Sequence, residues 1–460
     1  MTETLAPARF TAGNASRFTR HGGTARGLRR GAGDGTAVPP GATPATAGLT
    51  TTRGAALYIG ALLGPGLLLL PGLAAAAAGP ASVLAWAGLL VLSGLFAVVF
   101  GALGRGFPSA GGVIGYVRAG LGARASGLAG WSFLAGVVAG APVVCLIGAG
   151  YVTELTGGGP LSRALIAVLL LGAVLALAAG GLRTSATAQL LLVALLIVVV
   201  IVAVAGSAGQ ARAANWTPFA PHGWPAVGHA ASVLMLSFVG WEAAAPLTTR
   251  FADPARQLPR VIGIALAVTS VLYLGLAVAT IGVLGAGGVG GTGRAGGATE
   301  APLAALLRDA AGTAGTAAAA VAAVVLTLGA VNAYVSGAAE MTRELTRRGP
   351  AGPGAGPARP SPRFLAAVAV SGLTVIALYG LGLASPAALV ALPTTLFLVV
   401  YLGCMTSAVR VLRGPARLAA APAAAIVALM LGYCGWALVA PALVTLAVAI
   451  WPTRSRRPRA

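Results

Sequence analysis

Long apolar runs, each close to the length of a membrane-crossing helix, follow one another along most of the chain. A helix needs about 20 apolar residues to cross the hydrocarbon core of a bilayer. Twelve runs fit this length, at 53–78, 80–104, 125–154, 161–181, 185–206, 226–249, 261–285, 312–339, 363–383, 386–409, 416–433 and 435–452. Because the last two runs are short, ten or eleven spans also fit. The pattern predicts an all-α polytopic membrane protein with about twelve transmembrane helices.

Composition and charge support this interpretation and add the orientation. Of the 460 residues, 57% are hydrophobic and only 8% are charged, which is far too little charge for a soluble domain. With the amino terminus inside, all but four of the 30 basic residues fall on the inner side; the four are Arg163, Arg212, Arg294 and Arg308. The net charge of +21 therefore indicates topology and not nucleic-acid binding, and it predicts cytoplasmic termini in a plasma (inner) membrane.

The first span is interrupted at its centre by Gly64-Pro65-Gly66. Glycine is a poor helix former and proline lacks a backbone donor, so the helix should break near the middle of the membrane. Bare amide and carbonyl groups are costly in hydrocarbon, and such a break persists only where protein, water or a ligand satisfies it. The break is therefore either a binding site or a kink that neighbouring helices relieve.

A second interruption, around Gly240, falls about as far into the sixth span as Gly64 does into the first. Five spans separate the two breaks, and units with an odd number of spans insert in opposite directions. This arrangement is typical of inverted-repeat transporters, whose paired broken helices form a site at the midplane. We expect a transporter domain over 53–452, built from repeat one (53–206), repeat two (226–410) and two extra helices (416–452). A disordered cytoplasmic tail (1–52) should precede it, and a basic tail (453–460) should follow it.

The residues at these breaks suggest a chemistry. Helix amides after Gly66 would suit a carboxylate, and freed carbonyls near Gly240 would suit an ammonium group, so together they fit an amino acid. Phe238 and Trp241 could cover its side chain or could serve only for packing. Glu242 lies deep in an apolar span, where a carboxylate must face a cavity or a partner. It is a candidate proton carrier or gate, or alternatively a structural acid that binds backbone amides.

Polar residues elsewhere in the spans add little chemistry. Asn332, Tyr334 and Ser336 in the eighth span could line a cavity or only join helices through hydrogen bonds. Within the spans there is no pair of carboxylates, histidine cluster or nucleophile with a base, which argues against an enzyme. The three cysteines have no zinc spacing, so neither a metal nor a cofactor is implied.

Several motifs together resemble the amino acid-polyamine-organocation transporter superfamily. They are Gly64-Pro65-Gly66 followed by Pro71, Pro108-Ser109-Ala110-Gly111-Gly112, Phe238-Val239-Gly240-Trp241-Glu242, and Asp253-Pro254 with the residues up to Arg260. The resemblance implies a LeuT-type fold of ten core helices in two inverted repeats plus two further helices. It implies that Gly64 and Gly66 bind the substrate carboxylate, that the region of Phe238, Gly240 and Trp241 binds the amino group, and that Glu242 acts in gating and proton linkage.

The chain also departs from the pattern of that superfamily. Pro65 stands where the family usually has an amide donor, Thr249-Arg250 replaces acidic residues, and the fifth span has no lysine of the kind that some proton-coupled relatives use. The segment Gly104 to Val113 is similar to the subgroup that exports methionine and branched-chain amino acids.

The function expected from these features is secondary active transport of small neutral, apolar amino acids by alternating access. The expected partners are the amino acid, a coupling proton and the lipid bilayer, and the sequence does not specify an oligomeric state. The alternatives are an amine or polyamine carrier of the same fold, which would need more acids than Glu242 in its cavity, and a membrane amino acid sensor that does not transport.

Overall fold

The computed structural model describes residues 49–64, 66–107, 112–182, 186–244, 251, 253–285, 301–346 and 359–450. Apart from an isolated bridge between Leu49 and Phe251, all regular structure in these ranges is helical. The all-α prediction is therefore confirmed. The predicted tails lie outside the described residues, except for the last few positions before the first span.

Fourteen α-helices are described, numbered here in chain order. They are α1 (Thr51–Leu62), α2 (Gly66–Ala78), α3 (Ser82–Gly106), α4 (Val113–Thr156), α5 (Pro160–Ala179), α6 (Ala186–Ser207), α7 (Pro225–Leu234), α8 (Trp241–Ala244), α9 (Pro254–Ala279), α10 (Pro302–Thr346), α11 (Pro362–Gly380), α12 (Pro386–Val411), α13 (Pro415–Gly432) and α14 (Val439–Ile450). Among the described residues, nine helical stretches are long and apolar enough to cross a membrane, and shorter apolar helices accompany them. The protein is thus a polytopic membrane protein.

Local signals in the sequence explain where several of these helices begin and end. Proline occupies the first turn of α11 and α12, where its missing N–H is not needed. The hydroxyls of Ser361 and Ser385 accept hydrogen bonds from backbone N–H groups three residues later and so cap the same two helices. At the C-terminal end of α4, Gly157 adopts the left-handed conformation that commonly terminates a helix.

Two of the longest helices contain sharp bends at glycine. In α10 the bend at Ala311 and Gly312 separates a short first helix from the long helix that contains the apolar run 312–339. In α4 the bend is at Gly122, and the residues from Val113 onward are already helical. The apolar runs predicted at 80–104 and 125–154 leave this glycine-rich segment between two spans, where a loop is expected. Glycine readily adopts the positive φ of +82° found at Gly122, so the chain can turn sharply there, and residues from Val113 form a short first part of α4.

Small residues allow α4, α10 and α12 to pack closely. A Cβ atom at Gly148 of α4 would lie 2.4 Å from the Thr327 hydroxyl of α10. A Cβ atom at Gly120, near the start of α4, would lie 2.7 Å from the Ser407 carbonyl oxygen of α12. Small residues permit this kind of approach in membranes, where packing and not water exclusion holds helices together. The three helices form one wall of the site described next.

Candidate functional site

The first span is interrupted where the glycine motif predicts. Helix α1 ends at Leu62 and α2 begins at Gly66. Between them the Gly64 amide donates to the Leu62 carbonyl at 2.8 Å, and the Leu67 amide donates to the Gly64 carbonyl at 3.1 Å. Pro65 lies outside the described residues. The amides of Gly66 and Leu68 also stand in the first turn of α2, where an amide has no partner within the helix.

The sixth span is interrupted as well. Helix α7 gives way to a turn of 3₁₀ helix at Met235–Phe238, after which Val239 is extended and α8 begins at Trp241. Gly240 has φ of +154°, a conformation that residues with side chains rarely adopt. The chain therefore changes direction at Val239 and Gly240 before a new helix begins.

The two breaks lie against each other. A Cβ atom added to Gly240 would lie 2.3 Å from the carbonyl oxygen of Ala61, near the end of α1, and 3.2 Å from the Leu62 amide nitrogen. Both of these atoms belong to the backbone, so no side-chain rotation could make room. The absence of a side chain at Gly240 is what allows the interrupted spans to meet.

A cavity lies beside the breaks. Gly64 and Gly66 contribute from the first break, and Leu236 and Val239 contribute from the second. The other lining residues come from α4, α10 and α12: Gly136, Val137, Gly140, Ala141, Val144, Ala330, Val331, Tyr334 and Phe397. The α4 residues recur at helical spacing, so one face of that helix forms a continuous part of the wall.

The lining described here is apolar, apart from backbone groups at the breaks and the hydroxyl of Tyr334. None of the described lining residues carries a charged side chain. A charged side chain on a ligand would therefore lose its hydration without gaining an ionic partner, which is costly. An apolar side chain of moderate size would instead meet valine, alanine and phenylalanine surfaces.

Glu242 is buried close behind the second break and does not belong to this lining. Its Oε2 atom accepts hydrogen bonds from the Gly240 amide at 2.9 Å and from the Tyr401 hydroxyl of α12. Its Oε1 atom has no hydrogen-bond partner within the described part of the chain. The carboxyl group is therefore held by one oxygen, and the other oxygen is free to bind a proton or a donor.

Phe238 and Trp241 lie on other surfaces than the cavity wall. The Phe238 ring packs against Trp86 of α3 and Tyr273 of α9, with ring centroids 5.9 Å and 5.2 Å away. The Trp241 indole N–H donates to the Ser93 hydroxyl of α3 at 3.0 Å. In this structure both rings contact neighbouring helices, and their role in covering a substrate stays a prediction.

Comparison with known proteins decides the family. The sequence profile described as "Amino acid permease" matches residues 49–457. The chain belongs to the amino acid permease family. The permease is similar to the uncharacterized amino acid permease YecA of Bacillus subtilis, with 31% identity over 234 residues that cover 51% of the permease and 55% of the relative. It is also similar to the L-methionine/branched-chain amino acid exporter YjeH of Escherichia coli, with 32% identity over 216 residues covering 45% and 50%.

The relatives agree on transport and differ in the substrates that their names give. The chain spans about half the length of the two curated relatives named above. A shorter match, 31% identical over 125 residues, links the permease to the chloroplastic cationic amino acid transporter 9 of Arabidopsis thaliana, of which it covers 22%. The family and these relatives are transporters and not enzymes, as the sequence predicts. The substrates named for the last two relatives differ in charge, since one is an exporter of methionine and branched-chain amino acids and the other is a cationic amino acid transporter.

The three polar residues predicted on α10 have different surroundings in the permease. Tyr334 lines the cavity, and its hydroxyl lies 3.4 Å from the Val239 carbonyl oxygen. Asn332 instead donates from its amide to the Leu182 carbonyl between α5 and α6, at 2.9 Å. Ser336 is half-buried and does not belong to the described lining. The structure thus brings one of the three to the site.

Two tyrosines that the sequence analysis did not single out hold the breaks in place. Tyr401 binds Glu242, as described above. The hydroxyl of Tyr273 lies 2.6 Å from the Leu62 carbonyl oxygen and 2.6 Å from the Ser237 carbonyl oxygen, so it joins the end of α1 to the second break. Both tyrosines are fully buried in long apolar helices. A buried phenol needs a polar partner, and this was the one signal that could have pointed to them.

Proposed function

We propose that the permease carries small neutral, apolar amino acids across the plasma membrane by alternating access, with coupling to protons through Glu242. The observation that carries this proposal is the cavity between the two breaks, whose described lining has backbone polar groups and no charged side chain. Family membership supports amino acid transport in general. The apolar cavity adds the class of side chain.

The geometry of the breaks supports one orientation of the substrate. The carboxylate would lie at the start of α2, beside Gly66, where helix amides and the helix dipole favour negative charge. The ammonium group would lie toward the carbonyls at Leu236 and Val239. The side chain would then extend toward Val137 and Phe397. All five of these contact residues line the same cavity.

In this proposal the two repeats, 53–206 and 226–410, move against each other around the breaks, and 416–452 supplies the extra helices. Both termini face the cytoplasm. An amine or polyamine carrier is less well supported, because Glu242 is bound by Tyr401 and Gly240 behind the cavity and does not line it.

Counterflow in proteoliposomes tests this function. Vesicles containing the purified protein are preloaded with neutral amino acids, and uptake of labelled leucine and methionine is followed at an acidic and an alkaline pH. We expect uptake that depends on internal neutral amino acid and on pH. Competition by amines would favour the amine carrier, and binding without flux would favour a sensor. If no amino acid moves under any ion gradient, transport is excluded.

The size of the cavity should set which neutral side chains are preferred. Val137→Ala removes two methyl groups from the wall and leaves room for longer side chains. The kcat/KM for methionine should therefore rise relative to that for valine by up to about tenfold, because each additional buried methylene contributes about 0.8 kcal/mol. Gly140→Ala should shift the preference the opposite way, because its new Cβ would stand at an ordinary 3.4 Å from Pro393 and fill space. The ratio of kcat/KM values for the two substrates measures both effects, and an unchanged ranking in both variants would place the substrate elsewhere.

A further inference from the structure

Ser237 has a buried hydroxyl that the rest of the protein does not use. The residue belongs to the 3₁₀ turn just before the second break and is 1% exposed. Its Oγ atom has no hydrogen-bond partner among the residues that the structure describes. Buried hydroxyls are nearly always paired, and one without a partner is unfavourable in the absence of a ligand or water.

This hydroxyl lies against the start of α2. A Cβ atom added to Gly66, the first residue of that helix, would stand 3.0 Å from Ser237 Oγ, which is the nearest atom it would meet. Gly66 also forms part of the cavity wall. So do Leu236 and Val239, which flank Ser237 and Phe238 in the sequence. Ser237 does not belong to the described lining, but its unpaired hydroxyl is next to Gly66, which does, and to the first turn of α2, whose amides have no partner within the helix.

The sequence of the first break supplies one amide fewer than three ordinary residues would. Proline at position 65 has no N–H group, so Gly64-Pro65-Gly66 has two donors. The Gly64 amide is already committed to the Leu62 carbonyl. A carboxylate has about four lone-pair sites to fill, and a serine hydroxyl can donate one hydrogen bond.

We propose that the Ser237 hydroxyl donates a hydrogen bond to the carboxylate of the amino acid substrate, beside the amides of α2, in place of the donor that Pro65 lacks. The inference rests on the proposed function. Tyr273 keeps this serine in position, because its hydroxyl lies 2.6 Å from the Ser237 carbonyl oxygen and ties it to the end of α1. Glycine at position 66 leaves the room that the hydroxyl and a carboxylate need.

The test compares a ligand with and without a carboxylate. Binding of L-leucine and of isoamylamine, which keeps the same side chain and ammonium group, is measured by calorimetry on the full-length purified protein. Ser237→Ala should weaken leucine binding about tenfold or more, as expected for a hydrogen bond to a charged group, and should leave isoamylamine binding unchanged. Ser237→Cys, with a weaker donor of similar size, should fall between the wild type and the alanine variant.

Ser232→Ala is the matched control, because the Ser232 hydroxyl donates to the His229 carbonyl on α7 and lies one turn and a half before the site. It should bind leucine like the wild type. Wild-type leucine affinity in Ser237→Ala would overturn the proposal, and so would an equal loss for leucine and isoamylamine, which would indicate a structural role. If Ser237→Ala does not fold, the same comparison on Ser237→Cys decides. If the wild type binds no neutral amino acid, the proposed function itself fails.

Discussion

Replacing Gly240 with alanine should abolish amino acid transport. The new Cβ atom would lie 2.3 Å from the Ala61 carbonyl oxygen and 2.8 Å from the Ala61 carbonyl carbon, well inside contact distance. Because the opposing atoms are backbone, α1 and the second break would have to move apart. The substitution would also place a side chain on a residue with φ of +154°. Overpacking of this kind typically costs about 1–3 kcal/mol, and here the strain falls on the site itself.

Gly88→Ala is a suitable control for this prediction. Gly88 lies in α3, where an added Cβ would meet no atom within 4 Å, so the variant should transport like the wild type. Counterflow in proteoliposomes measures both variants, and size-exclusion chromatography verifies that each is folded. Full activity in Gly240→Ala would show that contact between the two breaks is not required for transport.

Glu242→Gln should remove the dependence of net flux on pH while exchange of internal for external amino acid continues. The glutamine carbonyl can still accept from the Gly240 amide and the Tyr401 hydroxyl, as Oε2 of the acid does. The amide nitrogen then occupies the place of Oε1, and no proton can be gained or lost. A proton gradient would therefore lose its means of driving transport, whereas substrate-driven exchange needs no net proton movement.

The comparison for this second prediction is Tyr401→Phe. It removes one donor to the carboxyl group but leaves the carboxyl able to bind a proton. This variant should keep a pH response and transport more slowly, because Glu242 and Gly240 lose a common partner. Uptake driven by an imposed pH gradient separates the two variants. An unchanged pH response in Glu242→Gln would exclude the acid as the proton carrier.

The sequence predicts most of this fold, because membrane helices have simple requirements. Apolar length identifies the spans, and proline and glycine indicate the break in the first span. The helical segment from Val113 to Gly122 was not predicted, since its glycine-rich composition is also typical of a loop. Only tertiary contacts, such as those of Gly120 with Ser407, show that it packs as a helix.

The site was predictable only in part. Gly64, Gly66 and Tyr334 line the cavity, and all three were selected from the sequence. The sequence could not predict which neighbours the Phe238 and Trp241 side chains face. Extended Val239 lies between them and ends the helical periodicity from which the facing side of a residue is inferred. Tyr401 was not predicted because its partner Glu242 lies 159 residues away along the chain. A single tyrosine in an apolar helix forms no pattern.

The direct approach of Gly240 to Ala61 has a thermodynamic consequence. The residue whose amide binds Glu242 is the same residue that leaves no room for a Cβ atom beside the Ala61 carbonyl, so Gly240 adjoins both the carboxyl group and the end of α1. If protonation of this acid multiplies the affinity for the amino acid by some factor, amino acid binding must multiply its proton affinity by that same factor. In the proposed mechanism, the proton and the amino acid would therefore affect each other's binding without an extended chain of contacts through the protein.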